Sequence, residues 1–191
     1  WLCNINNCII RDNSATYGGG VYDDSSAYIL TNCMISGNKA LCGGGIYSYG
    51  IRNPTVYNCI ITDNYAQDSG GGIYNAPCSP SVSRCVISNN VAENYGGGIH
   101  NMKDGAPRID VCVFNGNRAK YGGGLANPAG YPNLGGCTFI GNVATEAGGG
   151  IYNGGDNWPV SSCILWENEA EMGPEIYGEI NRIQFCNSLW P

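Results

Sequence analysis

Cysteine offers the most reactive chemistry in this sequence, and it occurs 11 times. A structural zinc site needs four converging donors, usually including a C-x2-C pair, and the sequence has no such pair and a single histidine. Eight of the cysteines recur at steps of 23 to 27 residues: Cys8, Cys33, Cys59, Cys85, Cys112, Cys137, Cys163 and Cys186. A linear row of thiols cannot surround an ion tetrahedrally, so we expect neither a metal nor a cofactor.

Glycine triplets, as in the stretch CIITDNYAQDSGGGIYN of residues 59–75, could belong to a phosphate-binding or calcium-binding loop. A phosphate loop would continue into G-K-[ST] and a helix, and neither follows here. Calcium-binding nonapeptide repeats need an aspartate at a fixed position. The residue before the repeated asparagine reads Asp12, Gly37, Asp63, Asn89, Gly116, Gly141 and Glu167. We interpret this position as a solvated corner.

Carboxylates could support a polysaccharide lyase, which needs clustered acids and a basic proton acceptor. A glycosidase needs two carboxylates about 5–9.5 Å apart. The candidates are Asp23, Asp24, Asp104, Asp110 and Asp156. We expect them to lie in connections of varying length, and none recurs beside its equivalent in the next repeat. The sequence therefore favours a protein without enzymatic activity.

The composition limits the elements that could hold these residues. Glycine accounts for 30 of 191 residues and charged residues for only 13%, which disfavours helices, because glycine costs about 1 kcal/mol per helical position. A hydrophobic share of 43% argues against disorder. The net charge of -6 and the scattered basic residues argue against a nucleic-acid partner. No apolar run reaches the roughly 18 residues of a membrane span.

The cysteine spacing belongs to a repeat that occurs seven times. Five residues after each of the first seven repeat cysteines stands an asparagine: Asn13, Asn38, Asn64, Asn90, Asn117, Asn142 and Asn168. An alanine follows two residues later, and then a glycine triplet and an aliphatic residue, although the seventh copy reads G-P-E-I. Short β-branched and aromatic segments between turn-forming residues indicate strands. We predict an all-β parallel β-helix, a solenoid of about seven coils of 25–27 residues with two or three strands each.

The pattern C-[IVTF]-[IFL]-x-x-N-x-A-x(3,4)-G-G-G-[IVL]-Y resembles the repeats of bacterial right-handed parallel β-helix proteins. These include the G-G-A-I and F-x-x-N repeats of polymorphic outer-membrane proteins. The resemblance covers essentially the whole chain, which we treat as a single domain of residues 1–191. Such repeats occur in adhesins, autotransporter passengers and secreted proteins, so the resemblance implies a secreted or cell-surface solenoid and specifies no activity.

The third repeat illustrates the expected role of each residue. Val56, Cys59 and Ile61 should point inward, with a bend around Asn58, because the step from Val56 to Cys59 breaks strict alternation. The repeated asparagines should form an inward ladder, in which identical amides donate and accept along the stack. The glycine triplets should permit positive φ and a close approach of neighbouring coils.

The repeat cysteines have two open interpretations. As thiols they would be small apolar fillers. As disulfides they would join neighbouring coils, whose spacing near 4.8 Å falls within the allowed Cα range. Cys3, Cys42 and Cys78 lie outside the repeat position, and the odd total leaves at least one thiol unpaired or available to another chain.

The residue after each inward aliphatic residue is usually a tyrosine, and strand alternation directs it outward. The set consists of Tyr22, Tyr47, Tyr74, His100, Tyr152 and Tyr177, with Ala126 in the fifth copy. This column either packs between coils or forms a contact face for a glycan or another protein.

We expect a non-enzymatic extracellular or cell-surface structural solenoid. The chain opens and closes in strand-like segments without a capping helix, which predicts a piece of a longer rod or a protomer that stacks head to tail into a fibre. The subunit seam would involve Trp1, Cys3, Cys8, Cys186 and Trp190. One alternative is an adhesin-like module that binds surface proteins or glycans through the aromatic column. Another is a polysaccharide lyase or hydrolase.

Overall fold

A computed structural model describes residues 2–102, 105–155, 158–180, 182–184 and 187–188. This part of the chain forms 28 strands. It contains no helix long and apolar enough to cross a bilayer. The strands pair in parallel with those of the neighbouring coils and group into four sheets, A to D. The predicted all-β parallel solenoid of about seven coils is confirmed.

Each complete coil passes through the sheets in the order A, B, C, D. Sheet A contains β1 (Leu2–Asn6), β4 (Ala27–Thr31), β8 (Thr55–Tyr57), β12 (Ser81–Ser83), β16 (Arg108–Asp110), β20 (Asn133–Gly135), β24 (Pro159–Ser161) and β27 (Arg182–Gln184). Sheet B contains β2 (Ile9–Arg11), β5 (Met34–Ser36), β9 (Ile60–Thr62), β13 (Val86–Ser88), β17 (Val113–Asn115), β21 (Thr138–Ile140), β25 (Ile164–Trp166) and β28 (Asn187–Ser188).

The other two sheets complete each coil on the opposite side. Sheet C contains β6 (Lys39–Cys42), β10 (Tyr65–Ser69), β14 (Val91–Ala92), β18 (Arg118–Tyr121) and β22 (Val143–Ala147). Sheet D contains β3 (Val21–Asp24), β7 (Ile46–Tyr49), β11 (Ile73–Ala76), β15 (Ile99–Asn101), β19 (Leu125–Asn127), β23 (Ile151–Asn153) and β26 (Ile176–Tyr177).

Most coils have four strands, whereas the sequence predicted two or three. The segment of residues 55–61 divides into β8 and β9 because Asn58 adopts the left-handed conformation, with a φ of 52°. The predicted bend at Asn58 is thereby confirmed. The additional strand is that of sheet C, as in β10, where the buried residues are Ala66 and Ser69 and no apolar run marks the strand in the sequence.

Three of the four corners of a coil place a residue at positive φ. In the third coil these residues are Asn58, Asp63 and Gly70, with φ values of 52°, 57° and 70°. Asparagine, aspartate and glycine adopt this conformation more readily than other residues. The turn-forming residues that recur between the strands therefore define the cross-section of the solenoid.

The core is a stack of apolar side chains with one layer per coil. Val56, Ile61 and Ile73, from three sheets of the same coil, are each at most 1% exposed. Because the strands pair in register, each layer lies on equivalent residues of the next, and the rings of Phe114 and Phe139 stack with centroids 4.3 Å apart. Burial of one aliphatic side chain contributes roughly 1.5–3 kcal/mol, so the core stabilises the solenoid along its length.

The glycine triplet forms the corner between sheets C and D. A Cβ added to Gly71 would lie 2.5 Å from the carbonyl oxygens of both Gly97 and Val91 in the next coil. A Cβ on Gly72 would lie 3.1 Å from the Nδ2 of Asn90. The adjacent coil thus requires these glycines, and the predicted close approach of neighbouring coils is confirmed.

Candidate functional site

The repeat asparagines form a continuous ladder inside the solenoid, at the corner between sheets B and C. Asn64 is 1% exposed, and its Nδ2 donates to the Oδ1 of Asn90 in the next coil (2.9 Å) and to the carbonyl oxygen of Ile35 in the previous one (3.0 Å). Its backbone N–H also donates to Asn90 Oδ1, and its own Oδ1 accepts the two equivalent hydrogen bonds from Asn38. Every donor and acceptor of the amide is used, so the ladder leaves no group of Asn64 for a ligand.

The ladder has a direction, because each amide from Asn13 onward donates toward the C-terminal end of the solenoid. In the seventh coil the Nδ2 of Asn168 donates to Oε2 of Glu175. Glu175 occupies the position of the third glycine, since its carbonyl oxygen accepts from the N–H of Ile151 as the glycine carbonyls do in other coils. The carboxylate of Glu175 thus takes the place of an eighth ladder asparagine.

A second inward polar column lies in sheet D, and the sequence analysis missed it. It consists of Asp23, Ser48, Asn75, Asn101, Asn127 and Asn153. Alternation could have revealed it, because the residue two positions after the inward aliphatic residue must face inward again. Asn75 Nδ2 donates to Asn101 Oδ1 (2.9 Å). Within the described residues, however, Asn75 Oδ1, Asn101 Nδ2 and Asn127 Oδ1 have no partner, so this column is less completely bonded than the first.

The repeat cysteines from Cys8 to Cys137 are free thiols, and those from Cys33 to Cys163 are buried. Their sulfur atoms lie at the corner between sheets A and B. Cys59 Sγ donates to the carbonyl oxygen of Tyr57 (3.3 Å) and accepts from the backbone N–H of Cys33 (3.5 Å). The thiols therefore help to satisfy the backbone at this corner in addition to filling space.

The buried repeat cysteines have low reactivity. A hydrogen bond with Cys112, together with burial, raises the pKa of Cys85 to about 12, so that this thiol stays protonated at neutral pH. Of the cysteines outside the repeat position, Cys3 is exposed while Cys42 and Cys78 are buried. No group of three or more His, Cys, Asp or Glu side chains in the described part of the chain could hold a metal.

The outward aromatic residues of sheet D form a stacked column. The ring centroids lie 5.0 Å apart for Tyr47 and Tyr74, 4.9 Å apart for Tyr74 and His100, and 5.4 Å apart for Tyr152 and Tyr177, and all three pairs are within 8° of parallel. The ring faces therefore cover one another. The parts of the column that reach the surface are ring edges and hydroxyl groups.

A second set of tyrosines, directly before the glycine triplets, completes this stack and was not predicted. Tyr121 fills the gap left by Ala126, with its ring centroid 5.0 Å from that of Tyr95 and 5.2 Å from that of Tyr152. Tyr95 also covers His100 edge-on at 5.6 Å and leaves it 6% exposed. The expectation that His100 belongs to an exposed contact face is therefore wrong, because a ring from the preceding corner lies over it.

The most accessible rings of the column are those of the first coil. Tyr22 is 54% exposed and Tyr17 is 43% exposed. Further along, burial raises the pKa of Tyr47 and Tyr74 to about 12.

The candidate acids are dispersed. The expectation that they lie in connections is wrong for three of them, since Asp23 and Asp24 belong to β3 and Asp110 belongs to β16. Asp23 and Asp110 are four coils apart, which corresponds to roughly 19 Å along the solenoid. Asp104 and Asp156 lie outside the described residues. Asp23 and Asp24 are adjacent but lie on opposite faces of β3, with Asp23 buried and Asp24 exposed. The described candidates therefore do not present two carboxylates on one face, as a glycosidase would need.

The residues expected at a subunit seam are only partly described. Cys3 is exposed and Cys8 is half-buried in the first coil. Trp1, Cys186 and Trp190 lie outside the described residues.

The family to which this architecture belongs follows from a comparison with protein-family models. Residues 1–165 match the family described as the right handed beta helix region. The chain is a right-handed β-helix protein. No curated protein and no solved structure gives a significant match. The comparisons therefore establish the family and no particular activity.

Two grooves on the surface of this β-helix offer space for a small ligand. One, of about 380 Å³, is lined by uncharged residues and Lys39 on sheet C. The other, of about 500 Å³, lies beside Tyr152 and Tyr177 and has Glu179 as its acidic residue. Neither groove is lined by a pair of carboxylates.

The buried carboxylate of Asp23 should destabilise the second polar column at neutral pH. Burial raises the pKa of this carboxyl group, and the N–H of Ser26 opposes the shift by donating to Oδ1 (3.2 Å). Oδ2 has no partner among the described residues. We expect Asp23→Asn to increase the free energy of unfolding at neutral pH by about 1 kcal/mol, because an amide removes the buried charge. Urea unfolding at neutral pH measures the change.

The sign of the pH dependence follows from the raised pKa of Asp23. The protonated form is favoured in the folded state, so its stabilising contribution is present at low pH and is lost as pH rises through the folded-state pKa. The advantage of Asp23→Asn should therefore disappear on acidification. Asp24→Asn, in the exposed neighbouring residue, is the control. Equal gains in both variants would contradict a role for burial.

His100 makes the stability of the β-helix sensitive to mild acid. Burial lowers its pKa to about 4, against about 6.5 in an unfolded chain. Its contribution is fully present above pH 6.5 and is lost as pH falls to about 4, a loss of about 3 kcal/mol. His100→Phe should keep the ring stack and remove this loss, whereas Tyr74→Phe should retain it. Thermal unfolding between pH 4 and about 7 tests this, and identical profiles for wild type and His100→Phe would contradict it.

Proposed function

We propose that this β-helix is a non-enzymatic extracellular rod, which holds neighbouring parts of a cell-surface protein at a fixed separation. The observation that carries the proposal is the asparagine ladder from Asn13 to Asn168. In Asn64, as an example, all donors and acceptors of the side chain are bonded to adjacent coils. The polar group that recurs most regularly thus serves coil-to-coil bonding.

The distribution of carboxylates supports a role without catalysis. Right-handed β-helices include polysaccharide-active enzymes as well as proteins without activity, so membership of the family leaves the reaction open. Asp23 is buried within the second polar column. Asp110 lies on another sheet, four coils from Asp23, and forms an ion pair with Arg108 of its own strand. Each of these two carboxylates therefore has a structural role, one in the buried polar column and the other in a surface ion pair.

A polysaccharide panel tests the absence of catalysis. The purified chain is incubated with acidic and neutral polysaccharides, and new reducing ends and unsaturated products are measured. We expect no product above that formed by a double variant, Asp23→Asn with Asp110→Asn. Turnover that falls in the double variant would overturn the non-enzymatic proposal. Protease treatment of intact producing cells tests the location, because an extracellular rod should be cleaved without lysis.

The tyrosine column favours a second candidate, a contact site for another surface molecule. Tyr17 and Tyr22 are large, exposed and adjacent to the stacked rings, and exposed aromatic residues are enriched at interfaces. Because ring faces cover one another along the column, recognition would use ring edges and hydroxyl groups. Binding to glycan and protein arrays, compared between wild type and Tyr22→Ala, tests this candidate. Equal binding profiles would remove it.

A head-to-tail fibre is the less favoured form of self-association. Continuation of the ladder in register would require an asparagine beneath Asn168, and the carboxylate of Glu175 already occupies that place. A Cβ added at the third glycine of a coil would lie close to the ladder asparagine of the next coil; for Gly150 the distance to the Asn168 side-chain amide would be 3.3 Å. The Glu175 side chain therefore obstructs a further asparagine there.

A further inference from the structure

In the seven strands of sheet B from β2 to β25, the outer face carries an unbroken column of seven residues, six of which are exposed and apolar. These six are Ile9, Met34, Ile60, Val86, Val113 and Ile164, with exposed fractions between 38% and 69%. Thr138 completes the column between the last two. Core packing does not explain them, because the inward residues of the same strands, such as Ile61 and Ile87, are already fully buried. The column is therefore an apolar surface that the described residues of this chain leave uncovered.

The parallel column on the same face is nearly free of charge. It consists of Arg11, Ser36, Thr62, Ser88, Asn115, Ile140 and Trp166. Arg11 is its one charged residue, in a protein with a net charge of -6, and Trp166 is a 36% exposed aromatic. Interface cores are depleted of charge and enriched in aromatic residues. The face thus has the composition of a contact surface.

The spacing of this face points to its partner. The apolar residues repeat at the distance between adjacent strands, about 4.8 Å, whereas a helix advances about 5.4 Å per turn and would lose register within a few coils. Another parallel β-solenoid presents the same spacing, and a second copy of this chain presents the same apolar column. We propose that two copies pack side by side, with sheet B of one facing sheet B of the other.

The acidic residues beside the face select the orientation of the two rods. The corner after sheet B carries Asp12, Asp63 and Glu167, whereas the described residues of the corner before it include no acid. A two-fold axis along the rods places the acidic corner of each copy beside the acid-free corner of the other. An axis along the strands would instead bring Asp12 of one copy close to Glu167 of the second. Parallel rods avoid this like-charge contact.

The size of the face sets the strength of the contact. Seven strands about 4.8 Å apart and about 10 Å wide give roughly 340 Å². A pair would bury roughly 700 Å², less than the roughly 1,200 Å² of stable complexes. The dimer is therefore weak and depends on concentration, as suits rods that are held close together on a surface. The inference rests on the rod geometry and is independent of catalysis.

Sedimentation equilibrium of the wild-type chain, from micromolar to millimolar concentration, tests the pairing. We expect reversible dimer formation, weakened at least about tenfold in the double variant Ile60→Lys with Val86→Lys. The matched control is Leu41→Lys, since Leu41 is 39% exposed on the outer face of sheet C. Circular dichroism verifies that all variants fold. Monomers at every concentration, or equal weakening by Leu41→Lys, would overturn the proposal.

A photo-crosslinker at position 36 tests the orientation. Ser36 lies on the outer face of β5 in the second coil. In parallel rods, p-benzoylphenylalanine at this position should crosslink to residues of the second coil, near Met34. Antiparallel rods would give crosslinks to the sixth coil, near Ile140. A dimer with sixth-coil crosslinks, or with none on sheet B, would overturn the parallel arrangement.

Discussion

Asn90→Ala is expected to lower the free energy of unfolding by roughly 4–6 kcal/mol. The substitution removes the Nδ2 bonds to Ile61 O (2.9 Å) and Asn117 Oδ1 (3.1 Å), together with the two bonds that Oδ1 accepts from Asn64 (2.9 and 3.0 Å). The backbone N–H of Asn64 is then buried without its acceptor. Each buried polar group left in this way costs about 1–3 kcal/mol, and urea unfolding measures the sum.

An outward asparagine provides the control for this prediction. Asn115 is exposed at the end of β17, so Asn115→Ala should change stability by less than about 0.5 kcal/mol. Asn90→Asp, which keeps the shape and removes the two N–H donors, should be as harmful as Asn90→Ala. A loss below about 1 kcal/mol in Asn90→Ala would show that the ladder is not a major source of stability.

Gly71→Ala is expected to destabilise the solenoid by at least about 3 kcal/mol. The new Cβ would lie 2.5 Å from the carbonyl oxygens of Gly97 and Val91. Both contacts are with backbone, so the two coils must move apart. This displacement would weaken the hydrogen bond from Gly71 N–H to Gly96 O (3.1 Å). Denaturant midpoints and soluble yield measure the effect.

Gly135→Ala separates steric conflict from the general effect of adding a methyl group. Gly135 is at the end of β20, and its added Cβ would meet only the ends of two side chains, 3.0 Å from Asp110 Oδ1 and 3.6 Å from Ser161 Oγ. These side chains can move, and alanine restricts the unfolded chain, so this variant should be close to neutral. Similar losses in both variants would refute the close-packing argument.

Most of the fold could be predicted from the residues that recur in each repeat. Cys59, Asn64 and Gly70 each recur once per repeat of 25–27 residues, and each occupies an equivalent corner or inward position in the structure. Stacking identical coils makes such positions predictable, because the environment of one residue is set by its own equivalents above and below. The sheet-C strands were missed since their inward residues, such as Ala66 and Ser69, are small and give no apolar pattern.

The candidate site was less predictable, because its parts vary in residue type. In the second polar column, the first two coils have Asp23 and Ser48 where the next four have asparagine, so the repeat holds over only part of the chain. The burial of His100 depends on Tyr95, which belongs to a different column whose residue type varies, from Ser69 in the previous coil to Tyr121 in the next. Compensation of this kind between two columns is visible only in three dimensions.

The one-way asparagine ladder gives the rod an electrical polarity. Each side-chain amide between Asn13 and Asn168 points its oxygen toward the N-terminal end and its NH₂ group toward the C-terminal end. The aligned dipoles add as they do in a helix, and hydrogen bonds in such a chain polarise one another. The positive end of this array falls at Asn168, where Glu175 supplies a negative charge. The carboxylate therefore stabilises the end of the array as an acidic residue stabilises the N-terminus of a helix.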